Sequence, residues 1–320
     1  MDKARAHTRT SRRTRWSSEA GFSMPEVLVA TGLTIMISGG ATQALMHMTK
    51  AQKSIWNRAQ MHAGVRGTSE LLQQEIGQAG RISLPGTVRT SGAIAAGARS
   101  LAVTSSAGMF AGEVLMLGAG NSTEAVVIQS IAGNTLTVDS ASTGSGTGVY
   151  ASHVAGEPLS VWGGFAAGVV PPSVASGSTG TTLKLFGDIN SDGQMVYVEY
   201  TCDLGRSRLL RSMVPWNSAV KTPASSAGVL LSSVLPNPDG TPCFTYQQET
   251  VGAQTFVTGV AITLTVQTHK ADPTTGQFQR ETKALLNVSP RNVFEVWELA
   301  SQGVTDRVQP TPASITALLP

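Results

Sequence analysis

Charge is scarce in this sequence: 13% of its 320 residues are Asp, Glu, Lys or Arg. Aromatic residues are also sparse, at 5%, while glycines number 34. Together these argue against a helical cytosolic enzyme and for a β-rich extracytoplasmic part with many turns. Only two cysteines occur, Cys202 and Cys243, and neither lies in a Cys-x-x-Cys metal or redox pattern. Catalytic signatures are missing too. There is no Gly-x-Ser-x-Gly elbow, no phosphate-binding Gly-Lys-Ser/Thr loop and no His-Glu-x-x-His. His7, His47, His62, His153 and His269 are scattered, and Trp16, Trp56, Trp162, Trp216 and Trp297 do not interleave with basic residues as a single-stranded nucleic-acid platform would. The chain is therefore not expected to be an enzyme.

The charge that is present is unevenly placed. Lys3, Arg5, Arg9, Arg12, Arg13 and Arg15 face only Asp2 and Glu19 within residues 1–20. That segment carries net +4 of the chain's total of +3, so the rest of the chain is net −1. Such a remainder gives no support to a general nucleic-acid-binding surface, and no direct nucleic-acid binding is expected.

After the basic arm comes Gly21-Phe22-Ser23-Met24-Pro25-Glu26, then 23 residues, Val27 to Thr49, without Lys, Arg, Asp or Glu. A helix needs about 20 residues to cross a bilayer. The basic flank should stay cytoplasmic and the chain beyond residue 50 should be exported. Glu26 is the anomaly, because a carboxylate carried to the bilayer centre costs roughly 2.5–3.5 kcal/mol and normally has a partner. Cutting the chain after Gly21 would create one: the new α-amino group of Phe22, four residues from Glu26, on the same chain or a neighbour.

These residues resemble the cleavage and methylation motif of type IV prepilins, usually Gly-Phe-Thr-Leu-Ile-Glu-Leu. Gly21 matches the residue before the cut, Phe22 the one after it, and Glu26 the fifth mature position. Pro25 departs from the usual aliphatic residue, yet in a first helical turn a missing N–H costs little. The resemblance implies a leader (1–21) removed by a prepilin peptidase, methylation of Phe22, and assembly with other pilins or pseudopilins in a filament. A secretory signal peptide has a similar outline, with Ala41-Thr42-Gln43-Ala44 as a small-residue cleavage site, and a plain uncleaved anchor is a further alternative. The acid at the start of the apolar run, and the helical pattern continuing past residue 50, argue against the signal peptide.

That pattern is Leu45, Met48, Ile55, Ala59, Val65, Leu72, Ile76 and Ala79, mostly three, four or seven apart, with Lys50, Lys53, Arg58, Arg66, Glu70 and Glu75 mostly off the stripe. Gly77, Gly80 and Pro85-Gly86 close it. The whole spacing predicts one helix within 22–86, over fifty residues and roughly 80 Å long, membrane-spanning in its first half. Gly32 and Gly39-Gly40 weaken it by about 1 kcal/mol each relative to Ala, and in the pilin family such glycines accompany local melting when subunits enter the filament.

Residues 87–100 read as a linker. Short strands follow at 101–104, 113–117, 124–128 and 135–138, with Ala132-Gly133-Asn134 as a tight hairpin signal. They make 93–162 a small antiparallel β-module inserted before the main head. Residues 162–180 read as a second link. The head, 181–300, opens with strands at 182–186 and 195–200, then 207–211. Residues 260–268 alternate cleanly, with Ile262, Leu264 and Val266 on one face and Thr263, Thr265 and Gln267 on the other; 279–288 can return antiparallel. The tail, 301–320, carries Pro310, Pro312 and Pro320 and is expected to be disordered. The expected fold class is α+β: a long N-terminal helix, membrane-spanning then amphipathic, followed by an antiparallel β-rich, pilin-like head with an inserted module.

Two features of the head invite chemistry. In an exported domain Cys202 and Cys243 favour one disulfide over two free thiols. Asp188-Ile189-Asn190-Ser191-Asp192-Gly193, with Glu199 five residues beyond the glycine, has the spacing of a calcium loop: Asp188, Asn190 and Asp192 would wrap the cation and Glu199 add a bidentate carboxylate. The flanks read as strands, unlike an EF-hand, and the same residue types build a metal-free hairpin turn. Both readings stand at this point, and calcium is the only cofactor in question.

The order of strands in the head, ending in Leu286-Asn287-Val288-Ser289-Pro290-Arg291-Asn292-Val293, resembles minor pilins of the type IV pilus assembly protein W family and is also similar to J-type pseudopilins of type II secretion. The resemblance implies a structural minor subunit, held in the inner membrane with an exported head and then part of a pilus or periplasmic filament. The alternatives are a pseudopilin, a filament-borne adhesin or calcium-binding module, and an extracytoplasmic enzyme.

Overall fold

A computed structural model of the protein describes residues 21–142, 145–221 and 228–317; the basic leader, apart from Gly21, lies outside them. Helix α1 runs unbroken from Met24 to Gln78, 55 residues or about 82 Å, straight through Ala41–Ala44. Ser23 is its N-cap and Pro25 its second residue, where no intrahelical N–H is needed. In the apolar half the hydroxyls of Thr31, Thr34, Thr42 and Thr49 each donate to the carbonyl four residues back, at 2.8 Å. Those polar atoms are satisfied inside the helix, as a lipid environment requires. By length and composition this is one helix able to cross a membrane, and its most apolar stretch has no cover from the other described residues.

Burial begins at Met61 and continues through Val65, Thr68, Ser69, Leu72, Glu75 and Ile76. Leu45, Met48, Ile55 and Ala59, which share the predicted stripe, remain exposed. The upper part of α1 packs against two sheets. One has the order β11-β10-β9-β8, from β8 (Thr182–Gly187), β9 (Val196–Asp203), β10 (Arg208–Pro215) and β11 (Val229–Ser232). The other centres on the 14-residue β14 (Gln254–Gln267). Along one edge of β14 lie β13 (Phe244–Val251) and β12 (Val234–Leu235), and along the other β15 (Arg280–Val288). Ile262, Leu264 and Val266 point into the shared core with Leu72, Ile76, Leu185 and Tyr200. On the opposite face of β14, Thr265 meets Thr282 of β15, hydroxyl to hydroxyl at 2.8 Å.

Residues 88–161 form a six-stranded antiparallel sheet in the order β1-β6-β3-β4-β5-β2: β1 (Val88–Arg89), β2 (Ser100–Ala102), β3 (Val114–Leu117), β4 (Glu124–Ala132), β5 (Thr135–Ser140) and β6 (Pro158–Val161). The sheet curls until its two edges meet. Thr90 bridges Val103, with Ser91 N–H donating to the Ala102 carbonyl at 2.8 Å and Thr104 N–H to that of Arg89 at 2.9 Å. The result is a small barrel filled by Leu101, Leu115, Leu117, Val126, Ile128, Leu136 and Val138, whose closure leaves no free strand edge. The β4–β5 hairpin turns on Gly133-Asn134, with Gly133 at φ +59°.

Four stretches differ from the sequence expectation. Residues 87–100 are not a bare linker, since β1 closes the barrel from within them. Residues 162–180 include β7 (Gly164–Phe165) and a single 3-10 turn, and Phe165, Ala166, Val169 and Val170 are buried. The final segment is docked through β16 (Val308–Gln309), parallel to β7, and a short α3 (Ala313–Thr316). A helix unanticipated from sequence, α2 (Arg291–Ser301), lies against the head through Val293, Val296 and Ala300.

The end of α1 is where these pieces join. Gly80, at φ +81°, donates its N–H to the Phe186 carbonyl of β8 at 2.8 Å, and its carbonyl accepts from Phe165 N–H of β7 at 2.9 Å. A Cβ at this position would lie 2.7 Å from Val293 of α2. The Asn292 amide, also on α2, donates to the Gln78 carbonyl at 3.2 Å, satisfying a helix end that has no basic residue in its last turn. The barrel is fixed to the head by aromatic contact: the Phe110 ring lies 6.0 Å from Phe165 and 5.6 Å from Trp216, and Phe165 lies 4.6 Å from Phe186.

Candidate functional site

The mouth of α1 is the first site to consider. Gly21, Phe22 and Ser23 precede the helix and are exposed, so the Gly21–Phe22 peptide lies outside regular structure, where a protease can bind an extended chain. Glu26 is at the third helical position, and its Oε2 lies 3.3 Å from both the backbone N and the Oγ of Ser23. This is a capping box, in which the carboxylate reaches back to otherwise unpaired donors, and a negative charge there also complements the positive end of the helix dipole. A chain starting at Phe22 would place its ammonium one residue before the N–H that Glu26 already meets.

The second candidate, the 188–199 loop, is wired differently from a cation cradle. Asp188 is fully buried and its carboxylate is engaged by protein donors. Ser83 Oγ donates to Oδ2 at 2.7 Å, Asp192 N–H to Oδ1 at 3.1 Å and Gly193 N–H to Oδ2 at 3.3 Å. Arg81 Nε lies 3.7 Å from the same Oδ2. Asn190 contacts Met213, Asp192 accepts from Gln194 N–H at 2.9 Å, and Glu199, on β9, accepts from the Tyr197 hydroxyl at 2.9 Å. Among the described residues no three His, Cys, Asp or Glu side chains are gathered to hold a metal, so Asp188, Asp192 and Glu199 do not share a focus. Ser191, at φ +58°, and Gly193, at φ +83°, make the tight turn between β8 and β9.

Cys202 and Cys243 form a disulfide. It links the end of β9 to the residue before β13, and so staples the two head sheets over their shared core.

Three buried polar groups had no clear signal in the sequence. Glu75, placed off the apolar stripe by its charge, is buried and accepts from the Tyr200 hydroxyl at 2.5 Å while Arg211 grips it through Nη2 and Nε. The Tyr200 hydroxyl is held protonated by burial first and by the Glu75 charge second. In the barrel, His153 Nε2 lies 2.8 Å from Glu124 Oε1, and Glu124 also accepts from Tyr150 and Ala151 N–H at 2.6 and 2.9 Å. Glu113 is fully buried, with Oε2 accepting from Phe110 N–H at 3.1 Å and, among the described residues, no partner for Oε1. Burial pushes its carboxyl up to about 8 against the opposing pull of that N–H.

The tryptophans anchor packing. Trp162 stacks beneath Arg307, whose Cζ is 3.4 Å from the ring centroid, Trp216 meets Phe110 and Trp297 meets Phe294 at 5.1 Å. Trp56 alone among the described four stands free on α1, 73% exposed. Comparison with protein-family models, curated proteins and solved structures found no match for the chain.

Proposed function

We propose that this chain is a prepilin-like structural subunit: anchored in the inner membrane by α1, cut after Gly21 by a prepilin peptidase, methylated on Phe22, and added as a minor component to a type IV pilus or pilus-like filament. The observation that carries the reading is the juxtaposition at the mouth of α1. An exposed Gly21–Phe22 peptide precedes a helix whose single early acid, Glu26, reaches back to within 3.3 Å of Ser23 N. The remainder of the apolar half is uncovered over seven turns or more, a surface that lipid would cover first and neighbouring helices later. The Glu26 carboxylate would then take the Phe22 ammonium of an adjoining subunit and set its register, while the β-rich head supplies the contacts that face solvent.

Mass spectrometry of the N-terminus of the protein extracted from membranes tests this directly. An N-methylated Phe22 is expected. A chain starting near Thr42 or Leu45, or retaining Met1, would reject it. The subunits that co-purify then separate a pilus from the related J-type filament of type II secretion.

A further inference from the structure

We propose that the loop between β14 and β15 is a second membrane contact, docking on the anionic phospholipid headgroups of the bilayer that holds α1. The inference rests on the membrane-spanning reading of α1 and adds to it a lipid-facing site in the head. The loop is tied to the helix well below the packed core: Ser54 Oγ donates to Asp272 Oδ2 at 2.6 Å. Ser54 is five residues past Thr49, the end of the uncharged run, or about 8 Å along the axis. A headgroup layer is about 5–8 Å deep on each side of the hydrocarbon, so the loop is held at the lipid–water boundary.

The surface there has the composition that boundary selects. The open groove between helix and loop is about 830 Å³ and is lined by Lys53, Ile55, Trp56, Lys270 and Pro273. Ile55 and Trp56 are exposed, and Phe278 adds a half-exposed ring on the same loop. Amphipathic aromatic rings settle at headgroup level. The charges are one-sided. No Asp or Glu occurs between Glu26 and Glu70, whereas Lys50, Lys53 and Arg58 do. Asp272 is the only acid of the loop, and its carboxylate is turned inward onto Ser54, Thr274 N–H (2.7 Å) and Gln279 Nε2 (2.9 Å). The groove therefore carries Lys53 and Lys270 with Trp56, and Lys50 lies three residues nearer the uncharged run, a set of charges complementary to anionic headgroups.

The test uses the full chain with Thr274→Cys carrying an environment-sensitive fluorophore; the two native cysteines are already bonded to each other. The labelled protein is reconstituted into vesicles of phosphatidylcholine, with or without phosphatidylglycerol, each containing a headgroup-linked quencher. Docking predicts stronger quenching with phosphatidylglycerol, weakened by salt, and a ratio of docked to free loop about fivefold lower in Lys270→Gln. Equal quenching in both lipids and in Lys270→Gln, with the chain resisting alkaline carbonate extraction, overturns the docking while α1 remains a membrane span. Release of the chain by carbonate overturns both.

Discussion

Arg211 of β10 grips Glu75 of α1 side-on, Nη2 to Oε1 at 2.5 Å and Nε to Oε2 at 3.1 Å, so the long helix is keyed to its head by a buried carboxylate paired with a partly exposed guanidinium as well as by apolar contact. With the Tyr200 hydroxyl on the same carboxylate, each oxygen of Glu75 is satisfied. Removing Arg211 strands the Glu75 carboxylate away from water, whereas removing Glu75 leaves a guanidinium that is 21% exposed and can still reach solvent. Arg211→Ala should destabilise the folded protein by about 3–5 kcal/mol and Glu75→Ala by less, and Glu75→Leu with Arg211→Met should recover most of the larger loss. Urea denaturation of the four proteins checks this. If both single variants shift the midpoint no more than a surface substitution does, the pair does not hold helix to head.

Glu113 should make stability fall as pH rises. Its folded-state value is raised from 4.5 to about 8, so between those pH values the folded chain keeps a proton that the unfolded chain has lost. The stabilisation is complete below the unfolded value and is lost through the folded one. Glu113→Gln keeps a neutral group of the same shape and should flatten this fall. The gain relative to the parent would be on the order of 5 kcal/mol at about pH 9 and near zero at about pH 4. Parallel stability-versus-pH curves for parent and variant would show that Glu113 does not titrate in this way.

The disulfide spans 41 residues of sequence and ties two sheets that share one core. Loop closure of that length stabilises by about 4 kcal/mol in the chain-entropy account. A protein with both Cys202→Ala and Cys243→Ala should lose about 3–4 kcal/mol, most of it reproduced by reducing the parent under mild denaturant. A loss below about 1 kcal/mol on both routes would mean that the sheets are held by packing alone.

The sequence made some of this legible and hid the rest for identifiable reasons. An uncharged run followed by apolar spacing through Val65, Leu72 and Ile76 reads as a long helix because both signals are summed over many residues. Glu75 was invisible as a core residue because a charge normally signals exposure, and only the partners Tyr200 and Arg211, 125 and 136 residues away, make its burial tolerable. Strands β1 and β7 have two residues each, too few for alternation to show, and they lie in Gly-rich segments that read as links. The spacing Val293, Val296, Ala300 was available as a helical signal for α2 but was absorbed into a strand reading of the residues before it. At Asp188 the spacing of oxygen-bearing residues was plain; their orientation, onto Ser83 and the loop's own N–H groups, was not encoded in that spacing.

The capping of α1 by Glu26 and its proposed filament role can be separated by a single substitution. In the chain as it stands its carboxylate caps α1 through Ser23; in the proposed filament it neutralises a neighbour's Phe22 ammonium. Gln also serves at the third position of a capping box, so Glu26→Gln should preserve the helix start, membrane insertion and cleavage after Gly21. It removes the charge, so incorporation into filaments should fall sharply, and Glu26→Ala should do the same while also weakening the first turn by about 1 kcal/mol. Quantifying each variant in membrane and sheared-filament fractions provides the comparison. Normal recovery of Glu26→Gln from filaments would reduce the residue's role to capping, and a defect confined to Glu26→Ala would point the same way.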